Sequence, residues 1–234
     1  MKKSQSPVAA KKKEIYCVGW TKGGTGKSTL ALALAHHLAR EGKSVKCMNL
    51  DTQNTIGKLV DWAVQLGAPP PFTVGNWSNY ETSRLASEID RVASEVDALV
   101  IDCGGQDDAN SRMAIGYANS FLIVLDIHPT SLLEVAGMKA ILDSILPHNP
   151  KLNHRVVLNK VTPGSKSEPK VAREYIRQFG LNPLDNPICL RKSIADATAK
   201  AGSIYDVINE KTKSHDTAAA SELTTCFYAL AVRP

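Results

Sequence analysis

Eight residues, Lys22-Gly23-Gly24-Thr25-Gly26-Lys27-Ser28-Thr29, carry the most demanding chemistry in this chain. The glycines let backbone N–H groups converge on phosphate oxygens, the lysines bring positive charge, and the hydroxyls offer ligands to a hard cation. The segment leaves a short apolar run, Ile15 to Gly19, and opens into an Ala/Leu-rich stretch with Leu30, Leu34 and Leu38 on one helical face. Strand, glycine turn and helix N-terminus in that order make a phosphate cradle, because the positive end of the helix dipole points where the amides converge. Lys27 is placed to reach the terminal phosphates, and Ser28 to ligate Mg²⁺.

Two carboxylates follow apolar runs. Ser44 to Leu50 reads as a strand that ends at Asp51, and Ala98 to Ile101 as a strand that ends at Asp102. In a doubly wound sheet, ligands sit beyond the carboxyl ends of the strands, so both aspartates reach the rim that carries the glycine loop. A carboxylate there binds Mg²⁺ through water or orients an attacking water, which is most of what phosphoryl transfer asks of a protein. The ordinary use of a single aspartate at such a place is a helix cap or a turn. Two of them behind a lysine-bearing loop favour the chemical use.

The elements that must position these groups alternate between strand-like and helix-like patterns. Helices are expected over Ile56 to Leu66, Glu81 to Ser94, from after Leu125 to Ile145, and over about Ser167 to Phe179. Further helical segments fall around Ser193–Ala201 and Thr217–Leu230, and strands over Phe72 to Trp77, Ser120 to Leu125 and Arg155 to Leu158. That order implies an α/β fold, a single domain with a mostly parallel, doubly wound sheet flanked by helices. The 234 residues suffice for one such core, and no run approaches the roughly 18 apolar residues of a membrane span.

Charge is concentrated. Lys2, Lys3, Lys11, Lys12 and Lys13 face no acid within residues 1–13; without these five, the 28 basic residues fall to 23, matching the 23 acidic ones. Residues 1–13 therefore read as a basic, disordered tail before a neutral domain over 14–234, and such a tail either holds a polyanion such as DNA or merely solubilises. It lacks the apolar stretch of a secretory signal. Five scattered cysteines with no C-x-x-C pair point to reduced thiols in a cytosol rather than to a structural zinc or iron–sulfur site. Lys166, Lys170, Arg173 and Arg177 fall on one helical stripe, either a DNA-phosphate contact or an ordinary solvated face. Leu223, Cys226, Phe227 and Leu230 form an apolar face better suited to the core than to a membrane surface.

The loop is a variant: Thr21 stands where the general phosphate loop has its first glycine, and Lys22 precedes the paired glycines. This K-G-G-x-G-K-[ST] arrangement resembles the deviant Walker A box of the ParA/MinD family of dimerising ATPases. The likeness covers roughly residues 14–210 and is greatest to short ParA-type partition proteins. It implies ATP and Mg²⁺ as cofactors, with Lys22 to Thr29 holding the nucleotide, Ser28 on the metal and Asp102 outside it. Lys22 would cross a dimer interface to the partner's phosphates, and Asp51 would position the hydrolytic water. Asn49 replaces the first of the family's paired aspartates, whereas Gln53 keeps its glutamine.

Val157-Leu158-Asn159-Lys160-Val161-Thr162 is similar to the N-K-x-D element with which GTPases read guanine. Thr162 replaces the carboxylate that would accept from guanine, so adenine is favoured, with Asn159 as the reader implied by the likeness. The implied function is a cytoplasmic, nucleoid-associated bacterial ATPase for plasmid or chromosome partition or cargo positioning. It would form an ATP-dependent homodimer, hold non-specific DNA and answer to a ParB-like adaptor, with no membrane role. A conjugative-transfer accessory ATPase of the same lineage and a metabolic ligase of dethiobiotin-synthetase type are the alternatives.

Overall fold

The structure is a computed structural model and describes residues 13–19, 22–206, 208–209 and 214–231. Most of the basic tail, together with Trp20 and Thr21, lies outside the described residues. The first half runs β1 (Glu14–Gly19), α1 (Lys27–Arg40), β2 (Val45–Asn49), α2 (Thr55–Gln65), β3 (Thr73–Asn76), α3 (Thr82–Glu95) and β4 (Ala98–Asp102). It continues with α4 (Ala109–Tyr117), β5 (Ser120–Asp126), α5 (Pro129–Leu132), α6 (Val135–Ile145), β6 (Asn153–Asn159) and α7 (Ser167–Gln178). After α8 (Lys192–Ala199) come a 3₁₀ turn (Ile204–Asp206), the two-residue strands β7 (Ile208–Asn209) and β8 (Ser214–His215), and α9 (Thr217–Ala231).

Six parallel strands form the main sheet in the order β3-β2-β4-β1-β5-β6. Its inner strands are covered on both faces, which is why they read as unbroken apolar runs rather than alternating ones. Cys17, Ile101, Phe121 and Ile123 face α3, α4, α6 and α7, where Leu85, Ile89, Leu142 and Ile176 are buried. Val18, Val100, Leu122 and Val124 face α1, α2, α8 and α9. Leu223, Cys226, Phe227 and Leu230 of α9 are core residues, as their spacing suggests. Two strand starts hold the end of this helix: the Ser120 hydroxyl and the Asn153 amide both donate to the Leu230 carbonyl, at 3.0 and 2.7 Å.

Two elements depart from those expected. The helix expected through Ile145 is split into α5 and α6 around Leu133 and Glu134. Helix α4 escapes the periodicity because its nine residues bury only Ser111, Ala114 and Ile115. The β6 edge is shielded by residues 182–190, which exchange backbone hydrogen bonds with Val156, Leu158 and Val161.

Candidate nucleotide site

The loop between β1 and α1 lies at the switch point of the sheet, where the chain passes to β2 and β4 on one side and β5 and β6 on the other. Gly24 and Gly26 adopt left-handed backbone, φ 78° and 99°. A Cβ on Gly26 would stand 2.3 Å from the Asn159 amide nitrogen, so only glycine fits against β6 there. The loop's carbonyls are tied from outside: Lys27 donates to Lys22 O at 2.8 Å, Lys160 to Gly24 O at 2.6 Å and Asn159 to Thr25 O at 2.8 Å. With these carbonyls engaged, the loop's N–H groups are left for an anion, beside the N-terminus of a 14-residue helix with no acid in its first turn.

Lys27 is only 5% exposed. Burial pulls its amine's pKa down, while Asp102 and Asp51 pull it back up. The amine sits over Gly105, whose Cβ, had it one, would lie 3.2 Å away and also 3.1 Å from Gly23 N. The segment after β4 therefore presses on the glycine loop, and a side chain at 105 would part the two.

Asp102 ends β4 between β2 and β1 and is fully buried. Burial pushes its carboxyl up to about 7, with Asp51 raising it further and the Ser28 hydroxyl and Lys27 lowering it. Neither Asp102 oxygen has a well-formed hydrogen bond, and the buried Thr25 hydroxyl has none either. Orphaned buried acceptors next to a serine hydroxyl are a poor arrangement by themselves and a good one for a hydrated divalent cation, so this donor set fits Mg²⁺. Asp51 follows β2, its side chain accepting from Gln53 N at 2.9 Å. Together with Gly23, Gln53, Ser78, Gly105 and Asp108 it lines a cavity of about 420 Å³ beside the loop.

The structure thus brings Lys27, Ser28, Asp51 and Asp102 to one rim, as the strand ends imply. Lys22 turns along its own chain: its amine donates to the Thr130 hydroxyl and, at 2.8 Å, to the buried Ser131 hydroxyl. One N–H of the Asn159 amide is directed to the loop, at Thr25 O. Sequence reasoning passed over Lys160, whose left-handed backbone (φ 58°) brings its amine to the loop; the Asn-Lys pair was the available signal. Thr130 and Ser131, more than a hundred residues from Lys22, gave none. On α7 part of the basic stripe is already engaged, Lys170 with Glu174 at 4.0 Å and Arg177 with Asp185 at 3.1 Å. Among the described residues no helix is long and apolar enough to cross a membrane.

A glycine loop opening a helix at the switch point of a parallel sheet, with a strand-end aspartate beneath it, defines a phosphate-loop nucleotide-binding domain. The chain belongs to the CobQ/CobB/MinD/ParA nucleotide-binding domain family, whose model matches residues 16–204. Protein ParA of Rhizobium radiobacter is 24% identical over 217 residues, spanning 91% of this chain and 93% of that protein. The ATP complex of McdA from Cyanothece has a TM-score of 0.71 at 12% identity, covering 94% of this chain and 97% of that one. Cobyrinic acid a,c-diamide synthase from Mycobacterium smegmatis, with bound ADP and magnesium, has a TM-score of 0.65 at 15% identity, covering 80% of this chain and 91% of that one. These two structures share the fold.

Proposed function

We propose that the chain is a Mg²⁺-dependent ATPase of the partition or cargo-positioning kind, which dimerises on ATP, holds DNA without sequence preference and is stimulated by a ParB-like adaptor. The observation that carries this reading is the pair of lysines on one loop, Lys27 buried over the cradle and Lys22 at its rim. Lys27 neutralises phosphate in its own subunit. Lys22 leaves the Thr130 and Ser131 hydroxyls for the phosphates of a second copy, cancelling the repulsion between two facing triphosphates. ATP thereby acts as a dimerisation switch that hydrolysis releases.

Mg²⁺, when bound, would shield charge on the transferring phosphoryl group, and the Ser28 hydroxyl and Asp102 are the residues that would hold it. Asp51 orients the attacking water from the wall of the cavity. Gly23 to Thr29 supply amides and hydroxyls, and Asn159 contributes by fixing the Thr25 carbonyl and with it the loop's shape. Thr162 leaves no carboxylate for guanine, which supports ATP. The α7 stripe and the basic tail are the candidate DNA contacts. The likeness to protein ParA along almost the whole chain supports the partition reading.

Sedimentation with ATP, ADP or no nucleotide, with and without random-sequence DNA, tests it: ATP alone should give dimers that join DNA. Lys22→Ala and Asp51→Ala should each abolish stimulated hydrolysis, and wild-type turnover in either would remove the assigned role. The roomy cavity beside Asp51 favours a second reading, a ligase with a small-molecule substrate, whose turnover would need that substrate instead of DNA.

A further inference from the structure

We propose that Asn49 is a positioning residue for Asp51: its amide nitrogen pins the backbone ahead of the water-orienting carboxylate to edge strand β3. The role assigned to Asp51 rests on the ATPase reading above. Asn49 is the last residue of β2, is fully buried, and pairs in register with Asn76 on one side and Asp102 on the other. Its Nδ2 donates twice, to the Asp51 carbonyl at 2.8 Å and to Asn76 Oδ1 at 2.9 Å.

Neither contact can be reversed. A backbone carbonyl only accepts, and Asn76 Oδ1 is fixed as an acceptor because the Ser78 N–H also donates to it, at 3.1 Å. A nitrogen must therefore face both partners. Aspartate has the same shape as asparagine but would set a carboxylate oxygen against two acceptors, and would place a second buried carboxylate beside Asp102. The Asp51 carbonyl takes a further hydrogen bond from Asn54 N at 2.9 Å, so that oxygen accepts from two donors. Trp77 N donates to the Asn49 carbonyl at 2.8 Å, closing the strand end onto β3. Ser78 and Asp51, at the two ends of this relay, both line the cavity next to the glycine loop. An aspartate at this position would undo the relay in this chain.

Two isosteric changes test the direction of the hydrogen bonds. Asn49→Asp should lower kcat at saturating ATP and Mg²⁺ by at least about tenfold while changing the nucleotide dissociation constant less than about threefold. Asn76→Asp keeps an acceptor in place and should stay within about twofold of wild type in both. Equal losses in the two variants, or no loss in either, would overturn the proposal. A readout independent of turnover is the Asn49 side-chain amide in ¹⁵N spectra. Its protons should resist exchange with solvent in wild type and in Asn76→Asp, and one should lose protection in Asn76→Ala; a fast-exchanging amide in wild type refutes the relay. If the wild type hydrolyses no nucleotide, the ATPase reading fails while the exchange measurement still decides the relay.

Discussion

Asp102→Asn should stabilise the nucleotide-free protein, and by an amount that grows with pH. Burial, aided by Asp51 and opposed by the Ser28 hydroxyl and Lys27, lifts the Asp102 carboxyl from its ordinary 3.8 to about 7. The folded chain then holds a proton that the unfolded chain releases, so stability is lost as pH rises between those two values and stays low above them. At about 1.4 kcal/mol for each factor of ten, burying the Asp102 carboxyl costs about 4 kcal/mol near pH 8, where it is ionised, and under about 2 kcal/mol near pH 5, where the fold holds it protonated. Asparagine never ionises, so its advantage over aspartate should widen by about 2–3 kcal/mol between those conditions. Taking the difference between two pH values cancels the packing of the new amide. Comparing variant with wild type at each pH cancels His36, His37 and His154, whose burial-lowered pKa values work in the opposite direction and are common to both proteins. Urea melts of wild type and variant without nucleotide or Mg²⁺ measure the quantity. An advantage that is constant or shrinks toward pH 8 would show that the carboxylate is not held at a cost. The same variant should lose the strengthening of ATP binding by Mg²⁺, since the group that strains the empty fold is the one assigned to the cation's water shell.

Gly26→Ala forces an alanine into left-handed backbone and drives its Cβ into the Asn159 amide; it should cost about 2–3 kcal/mol in a urea melt and abolish nucleotide binding by fluorescent-analogue titration. Phe227→Ala should destabilise by about 3–5 kcal/mol in a urea melt, because this ring is core. Replacing Lys166 and Arg173 with glutamine should weaken DNA binding about equally for all sequences and flatten its dependence on salt, each lost phosphate contact removing about 0.9 from the logarithmic slope. An unchanged slope would leave the basic tail as the contact.

Much of the fold was legible because parallel strands buried on both faces are short unbroken apolar runs, and because α1, α3 and α7 place apolar residues at helical spacing. Asp51 and Asp102 could be assigned to the rim from strand ends alone, since the position of a strand end decides which pole of the sheet a residue reaches. What stayed hidden depends on partners distant in sequence. The Asn159 amide goes to Thr25, across 134 residues, and no pattern local to either residue foretells it. The resting place of Lys22 is set by hydroxyls at the start of α5. Asn49 looked like a lost carboxylate until β3 supplied Asn76 opposite it. Helix α4 was missed for a different reason, since a nine-residue element with three buried positions has too little face to show a period.

The tether between Leu230 and the starts of β5 and β6 has a practical consequence. Those strands begin at the pole opposite the phosphate loop, and the seven residues of β5 separate the two poles by about 20 Å. A fluorescent reporter appended beyond α9 would emerge on the far side of the molecule, leaving the nucleotide rim and any face-to-face pairing there unobstructed.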